Sequence, residues 1–92
     1  MIVEISARAR AELASAVAYL KGENPQAAEK IGAAIERAID TLADMPGRGR
    51  SGRVAGTREL VVRGAPYILV YTVADAAVFV LSIRHKSRGW GR

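Results

Sequence analysis

The 92 residues contain no cysteine, which excludes a disulfide framework, a thiolate nucleophile and a cysteine-based zinc site. One histidine, His85, is too few for a histidine-rich metal centre, and no metal or other cofactor is expected. Long apolar runs are missing as well. No stretch approaches the ~18 consecutive apolar residues of a membrane span, and Met1-Ile2-Val3-Glu4-Ile5 lacks the basic stretch and long apolar segment of a secretory signal. The sequence therefore reads as cytoplasmic, with no membrane association. Acidic side chains are scarce in the second half: residues 47–92 hold Glu59 and Asp75 against nine Lys and Arg.

What is present is a globular composition, half apolar and one quarter charged, in a chain with room for one hydrophobic core. Residues 1–92 are read as a single domain. The net charge of +5 is unevenly placed, about −2 before Gly47 and +7 from there on. A basic half implies an acidic partner: nucleic acid, an acidic protein or a nucleic-acid-processing machine.

Ile2-Val3-Glu4-Ile5 is a short β-type run. Ser6 can cap a helix from Ala7 to Leu20, in which Leu13, Val17 and Leu20 share one face and Gly22 marks the end. Asn24-Pro25 starts a second helix, with Asn24 as cap and Pro25 at its first position. Ile31, Ile35, Ile39 and Leu42 then repeat at helical spacing up to Met45-Pro46-Gly47. Gly47 to Gly56 is a Gly/Arg/Ser connection without periodicity. β-type runs follow at Thr57–Arg63, Tyr67–Val73 and Ala77–Arg84, joined by connections short enough for an antiparallel meander. The fold class is α+β: an N-terminal strand, an antiparallel helix hairpin and a three-strand antiparallel meander. Both faces of the central strands are apolar, so the hairpin covers one, and the other is thinly covered or meets a partner.

Gly47-Arg48-Gly49-Arg50-Ser51-Gly52 matches G-x-G-x-x-G in spelling only. A phosphate cradle needs that turn between a strand and a helix N-terminus, whereas here it follows a helix and precedes a strand. The loop is either solvated or a basic contact surface built on Arg48, Arg50 and Arg53. His85 suits acid–base chemistry near neutral pH, with Arg63, Arg84 and Lys86 as companions in kind, or it is a structural residue at a strand end. Tyr67 and Tyr71 fall on one face of a strand. Tyr67, interleaved with Arg58 or Arg63, either packs or stacks on a base. Trp90 lies in a basic tail with Arg88.

The order of elements resembles the RelE/ParE superfamily of toxins from type II toxin–antitoxin pairs. The resemblance runs from Pro46-Gly47 through Gly56-Thr57-Arg58-Glu59-Leu60-Val61-Val62 and Pro66-Tyr67-Ile68-Leu69-Val70-Tyr71 to Ile83-Arg84-His85-x-x-Arg88-x-Trp90. It implies one of two activities. RelE-like members cut mRNA on the ribosome with basic residues on the sheet and near the C-terminus, which here would be His85, Arg63, Arg84 and Lys86. They carry an arginine where this chain has Ile68, and lysines in the preceding strand where it has Glu59 and Val61.

ParE-like members lack that set and resemble inhibitors of DNA gyrase, and the departures at these three positions fit that branch. On either branch the resemblance implies a hetero-oligomer with a small ParD-like or RelB-like antitoxin. Target contacts are then expected from Arg48, Arg50, Arg53, Arg58, Tyr67, Arg88 and Trp90. Antitoxin contacts are expected from the hairpin residues Leu13, Val17, Leu20 and Ile35. A non-toxic basic binding module is the alternative of another class.

Overall fold

A computed structural model describes residues 1–87. Both helices start at a side chain that supplies a missing backbone partner. Ser6 Oγ accepts the Ala9 N–H at 3.0 Å at the start of α1 (Ala7–Glu23), and Asn24 Oδ1 accepts the Ala27 N–H at 3.1 Å at the start of α2 (Pro25–Asp44). Asn24 serves both helices, because its own N–H bonds Leu20 O at 2.6 Å. Gly22 does not end α1, which continues to Glu23.

The strands are β1 (Ile2–Ile5), β2 (Arg50–Ser51), β3 (Arg58–Val61), β4 (Tyr67–Ala74) and β5 (Ala77–His85), in the sheet order β1-β5-β4-β3-β2. The expected meander is β3-β4-β5, antiparallel throughout. β1 lies parallel to β5, with Ile5 opposite Val80, so the sheet is mixed. The α1–α2 hairpin is the crossover between β1 and the rest of the sheet. β2 is an addition inside the segment expected to lack periodic structure; it follows a single 3₁₀ turn, Pro46–Arg48. The β4–β5 turn uses Asp75 and Ala76 at φ 50° and 62°, the left-handed pair of a type I′ two-residue hairpin turn.

The hairpin packs on one face of the sheet. Ile35, Ile39 and Leu42 from α2 and Ala9 from α1 meet Leu69 and Tyr71 of β4 and Val78, Val80 and Ile83 of β5. The pairing of β4 with β5 slips after Val70, which faces Ser82 while Tyr71 faces Val80. Leu81 is the extra residue of this bulge. Beyond the bulge no strand among the described residues lies on the outer side of β5, since β1 reaches only as far as Val80. Glu12 of α1 takes that place: its Oε1 accepts the Ile83 N–H at 2.8 Å and the Ser82 hydroxyl at 2.9 Å.

The Gly/Arg loop is held from below. Tyr71, fully buried, donates its hydroxyl to Pro46 O at 2.7 Å and accepts the Gly49 N–H at 2.8 Å. A Cβ built on Gly49 would lie 2.7 Å from that hydroxyl and 2.9 Å from Glu59 O, so this glycine serves close packing and not a phosphate. Gly49→Ala is therefore expected to destabilise the fold by about 1–3 kcal/mol, the range for overpacking, in a urea titration. Gly47→Ala, with nothing within 4 Å of the added carbon, is expected to be near neutral.

Candidate functional site

The basic half folds into one sheet edge, one loop and one strand end, and its charges have different local partners. Glu59 is 3% exposed. Its Oε2 accepts the Arg53 N–H at 2.9 Å, and its Oε1 lies 3.6 Å from the Arg50 guanidinium. A buried carboxylate must be paired to be tolerated, and the loop supplies those pairings. Arg58 donates to Gly49 O at 2.6 Å and to Gly47 O at 3.3 Å. Two of the arginines expected to contact a target, Arg50 and Arg58, thus also organise the loop, while Arg48 is exposed and faces a groove.

That groove, about 270 Å³, lies between α2 and the outer edge of β3 and is lined by Arg37, Arg48, Arg63, Ala34, Ala38, Thr41, Leu60 and Val61. A larger one, about 620 Å³, runs between α1 and the end of β5, where Arg84, His85 and Tyr67 face Arg8, Glu12 and Tyr19. The His85 and Tyr67 rings meet edge to face with centroids 5.2 Å apart, an attractive geometry for a π pair. The Ser87 N–H donates to His85 Nδ1 at 3.2 Å, and the Ser87 hydroxyl lies 2.9 Å from the same nitrogen. With Nδ1 accepting, the neutral ring carries its proton on Nε2. The residues expected to act together as a nuclease are thereby divided: Arg84 and His85 share the α1–β5 groove, while Arg63 lines the α2–β3 groove with Arg37 and Arg48. Lys86 is exposed in the turn after β5, its N–H bonded to Pro66 O at 2.9 Å.

A third groove, about 550 Å³, separates the helices of the hairpin. It includes Leu13, Val17, Gly32, Ile39 and the rim carboxylates Glu36 and Asp40. Leu20 is half-buried. Ile35 is different: it is 0% exposed and enclosed between hairpin and sheet, so it supports the helix from inside and offers no surface to an antitoxin. A period of three and four residues marks one apolar face without saying whether that face meets the chain's own sheet or another molecule. Arg88 and Trp90 lie outside the described residues. Sequence reasoning did not single out Arg37, Glu12 or the loop-anchoring role of Glu59. Arg37 falls three residues after Ala34 and four before Thr41, which a helical wheel places on one side of α2.

The model of the ParE toxin of type II toxin–antitoxin systems, parDE, matches residues 3–90. The chain belongs to this family. As a ParE-family toxin it is similar to toxin RelE2 of Caulobacter vibrioides, 41% identical over 81 residues that span 88% of this chain and 90% of that protein. It is also similar to toxin Y4kP of Sinorhizobium fredii, 40% identical over 73 residues, 79% of this chain and 75% of that one. Among solved structures, the chromosomal ParDE toxin–antitoxin system from P. aeruginosa superposes with a TM-score of 0.85 at 23% identity, covering 92% of this chain and 95% of that chain. The mixed sheet with its helix hairpin is thus the fold of this toxin family. No helix among the described residues is long and apolar enough to cross a membrane.

Proposed function

We propose that this ParE-family toxin inhibits DNA gyrase in the cytoplasm without cutting nucleic acid, and that an antitoxin binds and neutralises it. The observation that carries this reading is the separation of the basic groups. Cleavage of RNA needs a proton acceptor for the 2′-hydroxyl and cations gathered where charge develops on the phosphate. Here Arg63 lines one groove and Arg84 with His85 another, and the acceptor nitrogen of His85 is taken by Ser87. Ile68, which stands where RelE-like members carry an arginine, is 4% exposed, and Glu59 anchors the loop. The similarity to the ParDE system supports an antitoxin as partner.

A specific observation favours one second reading, an mRNA endonuclease. Tyr67, Arg84 and His85 share one groove, and a ring with its proton on Nε2 can serve as an acid toward a leaving oxygen. This would also suit the similarity to RelE2.

Gyrase supercoiling and ribosome-bound mRNA assays run side by side on the purified chain separate the two readings. Loss of supercoiling with intact mRNA is expected, and His85→Ala should leave the growth arrest caused by expression without antitoxin within about twofold. Cut mRNA, together with a loss of arrest in His85→Ala of about 100-fold or more, would establish the nuclease reading instead. Unchanged growth on expression of the parent chain would leave the non-toxic binding module.

A further inference from the structure

We propose that the α1–β5 groove binds a mononucleotide, with the base edge held by the backbone of Ile83 and His85 and the phosphate held by Arg8 and Arg84. This goes beyond the gyrase reading and does not depend on it. The groove also differs in place from the position at which RNA-cutting members carry their strand arginine. Tyr67 packs toward the hairpin core, so its neighbour Ile68 lies on the opposite face of β4.

The first ground is the open edge of β5. Tyr67 stands opposite His85 and Ile68 opposite Arg84, and the Lys86 N–H bonds Pro66 O at 2.9 Å. Bonded and non-bonded pairs alternate along an antiparallel ladder, so the N–H and C=O of Ile83 and of His85 turn away from β4. The Ile83 N–H does so, and Glu12 accepts it at 2.8 Å. The Ile83 C=O and the His85 N–H meet no partner among the described residues, because β1 ends opposite Val80. One acceptor and one donor thus stand side by side at the groove, whose lining includes both residues. A nucleobase carries a matching donor and acceptor on a single edge. An added peptide strand would need the neighbouring Ile83 N–H as well, and Glu12 already holds that group.

The second ground is the shape and character of the groove. Its volume of about 620 Å³ falls within the ~300–1,000 Å³ of small-molecule sites. Ala11 and Ala16 of α1 give it small apolar lining, which leaves room for a planar ring beside the strand edge. Tyr19 lines the same groove while 67% exposed, and an aromatic face of this kind stacks on a base without regard to its identity.

The third ground is charge. Arg8 and Arg84 line the groove, and Glu12 is the one carboxylate among its lining residues. That carboxylate already accepts the Ile83 N–H, the Ser82 hydroxyl and Arg8 Nε, so its charge is answered within the protein. Arg8 reaches it through Nε, which leaves the terminal nitrogens of the guanidinium to face a phosphate. His85 adds a neutral donor, since Nδ1 accepts from Ser87 and the ring proton sits on Nε2.

The probe is adenosine monophosphate, titrated against the isotope-labelled full chain and followed through its backbone amide signals. The comparators are inorganic phosphate, an analogue dimethylated on the base amino group, and an oligoadenylate. Expected are saturable, salt-weakened shifts centred on the His85 amide, with slower hydrogen exchange at that amide in the bound state. Arg8→Ala and Tyr19→Ala alter exposed side chains and should leave the thermal midpoint near that of the parent, while each weakens the nucleotide by about fivefold or more. Dimethylation removes the base donor to the Ile83 C=O and should cost about tenfold. The absence of a saturable shift up to about 10 mM nucleotide overturns the proposal, as does an affinity unchanged in both variants. Equal binding of the dimethylated analogue overturns the strand-edge contact. Inorganic phosphate that binds as tightly as the nucleotide leaves an anion site only and overturns recognition of the base. An oligoadenylate that binds more tightly than the mononucleotide, and is lost in the same variants, overturns the mononucleotide and reassigns the groove to RNA.

Discussion

Tyr71→Ala is expected to cost about 3–5 kcal/mol of folding stability and to lower the urea midpoint sharply. Its ring is fully buried in the core between hairpin and sheet, and truncating such an aromatic costs about 3–5 kcal/mol, a large share of the ~5–15 kcal/mol available to a small domain. The informative comparison is Tyr71→Phe, which keeps the ring and deletes the hydroxyl. That hydroxyl joins Pro46 O and Gly49 N, so its removal leaves the Gly49 N–H without its partner in a buried site, worth about 1–3 kcal/mol. Urea midpoints should rank parent, then Phe, then Ala. Hydrogen exchange at the Gly49 amide should rise in Tyr71→Phe while the amides of Ile35 and Leu69 stay protected. If Tyr71→Phe matches the parent in both measurements, the loop owes nothing to the tyrosine.

The tyrosine also shows how far the sequence could be read. Its spacing from Tyr67 put the two rings on one face of β4, which is correct, but the partners of its hydroxyl lie 22 and 25 residues away. Long-range pairings of this kind leave no local signal. Local chemistry was legible: the caps at Ser6 and Asn24, the isoleucine period of α2 and the short connections of the meander each depend on neighbours in the chain. β2 was missed because two residues carry no alternation to detect. The parallel placement of β1 was open because four residues do not state which strand they join.

The candidate site was legible in composition and less so in arrangement. The positive excess after Pro46 marked the basic surfaces, but only the fold divides them between the α2–β3 groove, the β5 end and the internal anchors. Glu59 looked from sequence like the replacement of a basic residue on an outer strand. Burial turns it into the acceptor around which Arg50 and Arg53 are arranged. Ile35 went the other way: the helical period that identified an apolar face was right, and the sheet already occupies that face. Arg37 lay in the near-neutral half, where a count of charge gives no reason to look, and it joins the basic surface because α2 and β3 line the same groove.

Glu12→Ala is expected to cost about 2–3 kcal/mol, more than any other substitution on the outer side of α1, because this carboxylate substitutes for a missing strand. Past the bulge at Leu81, the Ile83 N–H faces outward where β1 no longer runs, and Glu12 Oε1 accepts both that N–H and the Ser82 hydroxyl. Hydrogen bonds to a charged acceptor contribute about 1.5–3 kcal/mol each before screening, and because the side chain is 29% exposed solvent screening lowers the pair together to about 2–3 kcal/mol. Glu12→Gln keeps a carbonyl oxygen able to accept both bonds and should lose only about half as much. Arg8→Ala removes the i,i+4 ion pair at 3.3 Å, an exposed contact worth about 0.5 kcal/mol or less. The order Ala, Gln, then Arg8→Ala in denaturant midpoints, with faster exchange of the Ile83 amide only in the Glu12 variants, places the stabilisation in the edge of β5. The reverse order would place it in the surface ion pair. Because the same carboxylate seats α1 beside Tyr67, Arg84 and His85, Glu12→Ala should also loosen the α1–β5 groove, coupling the stability of the strand end to whatever that groove binds.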